Sequence, residues 1–158
     1  MRVGFGFDVH GFAAGRPLVL GGVAIPSPKG LAGHSDADVL CHAVADALLG
    51  AANLGDIGSH WPATSESAGS SSVSFLTVVA GLLERAGYGV VNVDSTIVAE
   101  GPRLASYRDQ MVTEISTALA IDRSLVSVKA TTTDGLGFVG RGEGIAAFAV
   151  ATVSRVEE

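Results

Sequence analysis

Residues 2–10 alternate without a break, with Val3, Phe5, Phe7 and Val9 on one side and Gly4, Gly6, Asp8 and His10 on the other. A period of two means a β-strand, because successive side chains leave opposite faces. One face of this strand is therefore wholly apolar, and the other carries small and ionisable residues. The segment IAAFAVATV at 145–153 constrains the fold from the far end of the chain. It hardly alternates, which predicts a strand buried on both faces. Helices cover only one face of a small sheet, so the second face is expected to pack against other copies of the chain.

The segments between supply the helices. Residues 17–25 (PLVLGGVAI) read as a second strand ended by Pro26, with Gly21 and Gly22 marking a bulge or tight bend. From Ser35 the spacing becomes helical: Val39, Ala43, Val44, Ala47, Leu48 and Ala51 share a face, with Ser35 or Asp36 as the cap and Gly55 beyond the end. Residues 56–72 have no period and read as a mobile surface loop. A helix at 73–85, a strand at 90–99, a helix at 105–120 and a strand at 125–132 follow. The connection DGLGFVGRGEG then leads to the last strand. There is no repeat and no linker, so residues 1–158 are expected to form a single α/β (α+β) domain, a mixed sheet with helices on one face.

Composition closes off other classes. Hydrophobic residues are 47% of the chain and charged residues 16%, against about 25% in an average domain, so disorder is excluded. The formal net charge is -6 and the ten basic residues are scattered, which argues against a nucleic acid partner. No run approaches the ~18 apolar residues of a membrane span. Cys41 has no partner for an internal disulfide and reads as a core residue in a reducing, cytoplasmic setting.

Asp8 and His10 leave the same face of the first strand, and the small Gly4 and Gly6 on that face are expected to leave room around them. His42 on a facing helix would complete three N/O ligands, the set that a catalytic zinc holds while keeping one position open. Asp38 and Asp46 stand four residues to either side of His42 and are candidates to orient its ring. The competing reading is a set of satisfied polar residues on a helix surface. His34, just before the helix, suits an anion at a helix N-terminus, or is a loop histidine in water. Thr131, Thr132, Thr133 and Asp134 lead into the glycine-rich run with Arg141, joining hydroxyl donors, a bidentate cation and a carboxylate. Together these point to metal-assisted chemistry at phosphate.

The segments GFDVHGF, LGGVAIP, GHSDADVLCHAVADALLGAANLGDIG and VKATTTDGLGFVGRGEGIA closely resemble the 2-C-methyl-D-erythritol 2,4-cyclodiphosphate synthase family of the non-mevalonate isoprenoid pathway. The resemblance runs from Arg2 to about Val153. It implies a homotrimer with active sites between neighbouring subunits. It also implies a lyase that converts 4-diphosphocytidyl-2-C-methyl-D-erythritol 2-phosphate to the cyclic diphosphate with release of CMP. By position, Asp8, His10 and His42 are the implied zinc ligands, with Val9 among the substrate contacts. His34 and Thr132 are the implied transition-state stabilisers. Asp134 is implied to hold a magnesium or manganese ion bridging the substrate diphosphate. Ser35, Asp56, Ile57 and Gly58 fall in the methylerythritol phosphate pocket. The run Ala99, Glu100, Gly101, Pro102, Arg103, Leu104 and Ala105, with Ala130, Thr131 and Thr133, falls in the cytidine pocket and beside it. Phe138 and Arg141 complete the implied phosphate contacts.

The implied nucleophile is the substrate's own 2-phosphate, which explains why no Ser-His-Asp or Cys-His set is needed. The sequence departs from the family pattern after Trp61 and Pro62. There Asp-Thr-Asp is common, and this chain has Ala63, Thr64 and Ser65, then Glu66. A carboxylate for the substrate diol is missing at Ala63; either Glu66 substitutes or the erythritol part is held more weakly. Arg103 replaces a frequent Lys, keeping charge but not geometry. Two rival readings remain: a metal phosphohydrolase in which water attacks, and a trimeric nucleotide-binding module without turnover.

Overall fold

The computed structural model describes residues 1–63 and 69–156. The alternating N-terminal segment forms β1 (Arg2–Ala14) and the C-terminal run forms β7 (Gly144–Arg155). Between them lie β2 (Leu18–Leu20), β3 (Val23–Ile25), β4 (Lys29–Leu31), α1 (Val39–Ala52), α2 (Ile57–His60), α3 (Ser72–Arg85), β5 (Tyr88–Val98), α4 (Arg108–Leu119), β6 (Val126–Thr131) and α5 (Gly137–Gly140). The main sheet has the order β4-β1-β7-β5-β6, with β5 and β6 parallel and the other pairs antiparallel. It is the expected single-domain mixed sheet, with α1, α3 and α4 on one face.

The expected strand at 17–25 is a hairpin. Gly21 and Gly22 take positive φ (58° and 76°), which is the tight bend anticipated there. β4 was not anticipated; three residues that include a glycine carry no periodic signal. The main helix starts at Val39, later than expected, because Asp38 is its cap. The buried Asp38 carboxylate accepts the backbone N–H of Cys41 at 3.1 Å, of Gly21 at 2.9 Å and of Gly22 at 2.7 Å. It ties the hairpin to the helix, and burial pushes its carboxyl pKa up. The stretch read as a loop opens with α2, whose capping box pairs Asp56 with Ser59. Residues 64–68 of that stretch, including Glu66, lie outside the described residues.

The helical face of the sheet forms the core. Ile145, Ala147, Ala149, Ala151 and Val153 of β7 are buried there with Ala43, Val44, Ala47 and Leu48 of α1. Cys41 lies in the same core, and burial raises its thiol pKa. The opposite face of β7 is buried at Ala146 and uncovered within the chain at Phe148 and Val150. Val3 and Phe5 are 68% and 63% exposed, and Phe7, Val9, Phe148 and Val150 are exposed beside them. The rings of Phe5 and Phe7 lie 6.1 and 5.0 Å from that of Phe148, so the patch is continuous. Among the described residues no helix is long and apolar enough to cross a membrane.

Candidate active site

Two residues on the inward face of β1 and one on α1 converge. Asp8 Oδ2 lies 2.9 Å from His10 Nε2 and 3.0 Å from His42 Nδ1, and the two ring nitrogens are 3.3 Å apart. His10 Nδ1 is 2.7 Å from the Ala32 carbonyl, which only accepts, so the proton belongs on Nδ1 and the Nε2 lone pair faces the cluster. Three electron-pair donors within 4.8 Å of one another repel unless positive charge sits among them. In the absence of a cation, burial raises the Asp8 pKa, but when the two rings carry protons toward it their hydrogen bonds, from His10 and His42, outweigh the burial and hold the carboxyl down at about 2. The hydrogen bond that the protonated His10 ring gives Asp8 raises the His10 pKa in turn, against its own burial. A divalent cation fits this donor set, and two nitrogens with one carboxylate oxygen suit zinc.

The anticipated support for His42 differs from the observed one. Asp38 is committed to the hairpin and helix cap. Asp46 Oδ1 accepts the Ile57 N–H at 2.8 Å, and burial pushes its carboxyl pKa up. His42 Nε2 instead meets Ser72 Oγ at 2.8 Å and Ser35 Oγ at 3.3 Å. Nor do Gly4 and Gly6 leave open room. A Cβ on either would overlap a carbonyl oxygen of α1, so the glycines admit the helix itself.

His34, Ser35, His42, Ile57, Trp61, Ala63 and Phe75 line a cavity of about 100 Å³ beside these ligands. Asp56 and Gly58 flank it as the cap and second residue of α2. The hydrogen bond from the Ser59 N–H lowers the Asp56 pKa. His34 is not at the helix N-terminus, since α1 begins five residues later. It is held from behind by Arg16, whose guanidinium donates to the Gly33 carbonyl at 2.5 Å and the Ser35 carbonyl at 2.6 Å. No spacing rule could have singled out Arg16. The Val9 side chain lies on the open apolar face, away from Asp8 and His10.

A larger cavity of about 280 Å³ is lined by Ala99, Glu100, Pro102, Arg103, Leu104, Ala105, Ala130, Thr131 and Thr132, together with the unanticipated Arg108. Gly101 faces a different cavity, with Phe12 and Lys29. Glu100 braces the adjoining turn, accepting Thr133 N–H at 2.8 Å and Thr133 Oγ1 at 3.0 Å, and the N–H bond lowers its pKa. Thr132 Oγ1 donates to Asp134 Oδ1 at 3.1 Å. Phe138 and Arg141 line neither cavity, and Arg141 pairs with Glu143 at 3.0 Å.

Strand register separates the two groups. Asp8 pairs with Ala147, Ala147 with Ile97 and Ile97 with Ala130, in one row across the sheet. Three strand spacings of ~4.8 Å put the His10 strand and the Thr131 strand ~14 Å apart.

Residues 1–154 match the YgbB family. The chain belongs to the YgbB family. One relative, the 2-C-methyl-D-erythritol 2,4-cyclodiphosphate synthase of Pelotomaculum thermopropionicum, is 60% identical over 156 residues, covering 98% of this chain and 96% of that one. The chain is also similar to part of the bifunctional IspDF of Campylobacter jejuni, at 39% identity and a TM-score of 0.95. That match covers 99% of this chain and 42% of the longer IspDF chain. IspF of Plasmodium falciparum, solved as a CDP complex, has a TM-score of 0.87 at 33% identity, over 99% of this chain and 97% of that one.

Proposed function

We propose that residues 1–158 form one catalytic domain that cyclises 4-diphosphocytidyl-2-C-methyl-D-erythritol 2-phosphate to 2-C-methyl-D-erythritol 2,4-cyclodiphosphate with release of CMP. Membership of the YgbB family makes the chain a cyclodiphosphate synthase, a lyase of isoprenoid biosynthesis. The observation that carries the chemistry is the convergence of Asp8, His10 and His42. These residues would hold zinc, and Asp134, with substrate phosphate oxygens, would hold magnesium or manganese. When bound, such cations supply Lewis-acid neutralisation of the phosphate charge.

The chain's own part is to bend the substrate and meet the developing charge. The cavity around Ala99–Ala105, Ala130 and Thr131 takes the cytidine, in keeping with the CDP complex of the Plasmodium relative. The smaller cavity at His34, Ser35, Ile57 and Ala63 takes the methylerythritol phosphate, with Asp56 and Gly58 at its edge. An oxygen of the 2-phosphate then attacks the β-phosphorus, the bond from that phosphorus to the bridging oxygen breaks, and CMP leaves with the electron pair. Thr132 and His34 donate hydrogen bonds to the charge on the transferring phosphoryl group. Holding the nucleophile against its target contributes up to about 7 to 11 kcal/mol of rate enhancement.

The two cavities belong to one substrate when neighbouring copies bring them together. The ~14 Å row between them and the exposed apolar face around Phe5 and Phe148 both support a homotrimer with sites between subunits. The same reading places the enzyme in the cytoplasm, with Cys41 reduced. Phosphorus NMR of the reaction tests the proposal. A cyclic diphosphate appearing in step with CMP is expected, and its loss in His42→Ala. The linear methylerythritol 2,4-bisphosphate released with CMP, and no cyclic diphosphate, would mean attack by water and end the cyclase reading.

A further inference from the structure

We propose that Ser72, held by Asp36, is a positioning residue that sets the tautomer and aim of His42 at the metal centre. The inference rests on reading Asp8, His10 and His42 as a cation site. Ser72 is the first residue of α3 and fully buried, and its Oγ lies 2.8 Å from His42 Nε2. Its hydroxyl has one proton, and that proton goes to Asp36 Oδ1 in a short hydrogen bond. Asp36 Oδ2 takes the Ser72 backbone N–H at 3.0 Å, so the carboxylate grips the residue at two points. A carboxylate only accepts. The Ser72 oxygen, its proton committed to Asp36, therefore accepts from His42.

The consequence falls on the other side of the ring. A neutral imidazole has one N–H. With that N–H on Nε2, the Nδ1 lone pair faces Asp8 Oδ2 at 3.0 Å and His10 Nε2 at 3.3 Å. Without Ser72, Nε2 keeps the longer contact to Ser35 Oγ at 3.3 Å, and the better acceptor is Asp8 itself, which draws the proton to Nδ1 and blocks the ligand position. His10 has its tautomer fixed by the rigid Ala32 carbonyl, whereas His42 depends on a relay between segments. The relay reaches further, because the Asp36 N–H donates to the Ser70 carbonyl at 3.0 Å and the Gly69 N–H to the His34 carbonyl at 2.8 Å. The chain leading into α3 is thus tied to both the metal ligand and the His34 segment.

Ser72→Ala removes the hydroxyl but keeps the backbone N–H that Asp36 caps, which makes it the informative variant. Zinc affinity of the purified protein is measured by competition with a fluorescent chelator. Ser72→Ala is expected to bind zinc ~10 to 100-fold more weakly than wild type. Nitrogen NMR of metal-free protein at about pH 9, where imidazole is neutral, should find the His42 proton on Nε2 in wild type and shifted toward Nδ1 in Ser72→Ala. Zinc affinity within about twofold of wild type, or a proton on Nδ1 in the wild type, overturns the proposal. The wild-type tautomer alone decides if the variant does not fold. His42→Ala separates the two layers. If it binds zinc as tightly as wild type, the cation-site reading falls and this inference with it; if it loses zinc while Ser72→Ala keeps it, only the role of Ser72 falls.

Discussion

Gly6 and the Ala43 carbonyl meet where a side chain would otherwise stand, since a Cβ on Gly6 overlaps that oxygen. Gly4 has the same relation to Ala47, one turn along α1. These contacts set how closely the strand bearing Asp8 and His10 approaches the helix bearing His42. Gly6→Ala must push strand and helix apart, at about 1 to 3 kcal/mol of stability, and should spread the three ligand atoms. Gly11→Ala is the control, because its added Cβ comes no nearer than 3.7 Å to Glu143 O. Thermal melting and zinc affinity should both fall for Gly6→Ala and hold for Gly11→Ala; equal losses in the two variants would contradict the account.

The row from Asp8 to Ala130 leads to a second expectation. If each site joins the Asp8 cluster of one subunit to the Thr132 cavity of its neighbour, two inactive variants should repair each other. Asp8→Asn and Thr132→Ala, each nearly silent alone, should recover activity when co-expressed. Random mixing in a trimer leaves about a quarter of the interfaces with both groups intact. No recovery in verified mixed oligomers would mean that each chain builds its site alone.

These relationships mark what the sequence could express. Alternation placed Asp8 and His10 on one face of β1, and helical spacing brought His42 toward them, because those periods belong to single elements. The segment 99–105 and the threonine run, singled out by resemblance alone, line one cavity together. The support of the ligands was not legible. Ser72 meets His42 from 30 positions away, and Arg16 reaches the Ser35 carbonyl across 19. Such contacts depend on how elements dock, which no local period encodes. The Asp38–His42–Asp46 column misled for the same reason: its spacing is right, but the hairpin and α2 claim both carboxylates. The late start of α1 is part of that error, since Asp38 caps the helix instead of riding on its face.

Ala63 lines the small cavity beside His34 and Ser35, at the position where the sequence departs from the Asp of the family pattern it resembles. Ala63→Asp should restore an acceptor for a substrate hydroxyl. A charged acceptor of this kind contributes about 1.5 to 3 kcal/mol, so KM should fall roughly tenfold or more. On the proposed binding mode, with the diol away from the transferring phosphoryl group, kcat should change little. An unchanged KM would mean that the diol is already held by another group.

Removing the metal exposes the proton chemistry of its ligands. In the metal-free chain Asp8 is held at about 2, below its ordinary 3.8, so its contribution to stability is complete above 3.8 and is lost as pH falls toward 2. His10 is raised above its ordinary 6.5, so its contribution is complete below 6.5 and is lost as pH rises through the higher folded value. The two contributions coincide between about pH 4 and 6.5. Chelator-treated wild type should therefore melt above chelator-treated Asp8→Asn by the widest margin in that window, with the gap narrowing on both sides. Adding zinc should extend the wild-type advantage to higher pH, because the cation takes over from the departing proton. A gap independent of pH in the stripped proteins would show that Asp8 contributes through packing and not through its charge.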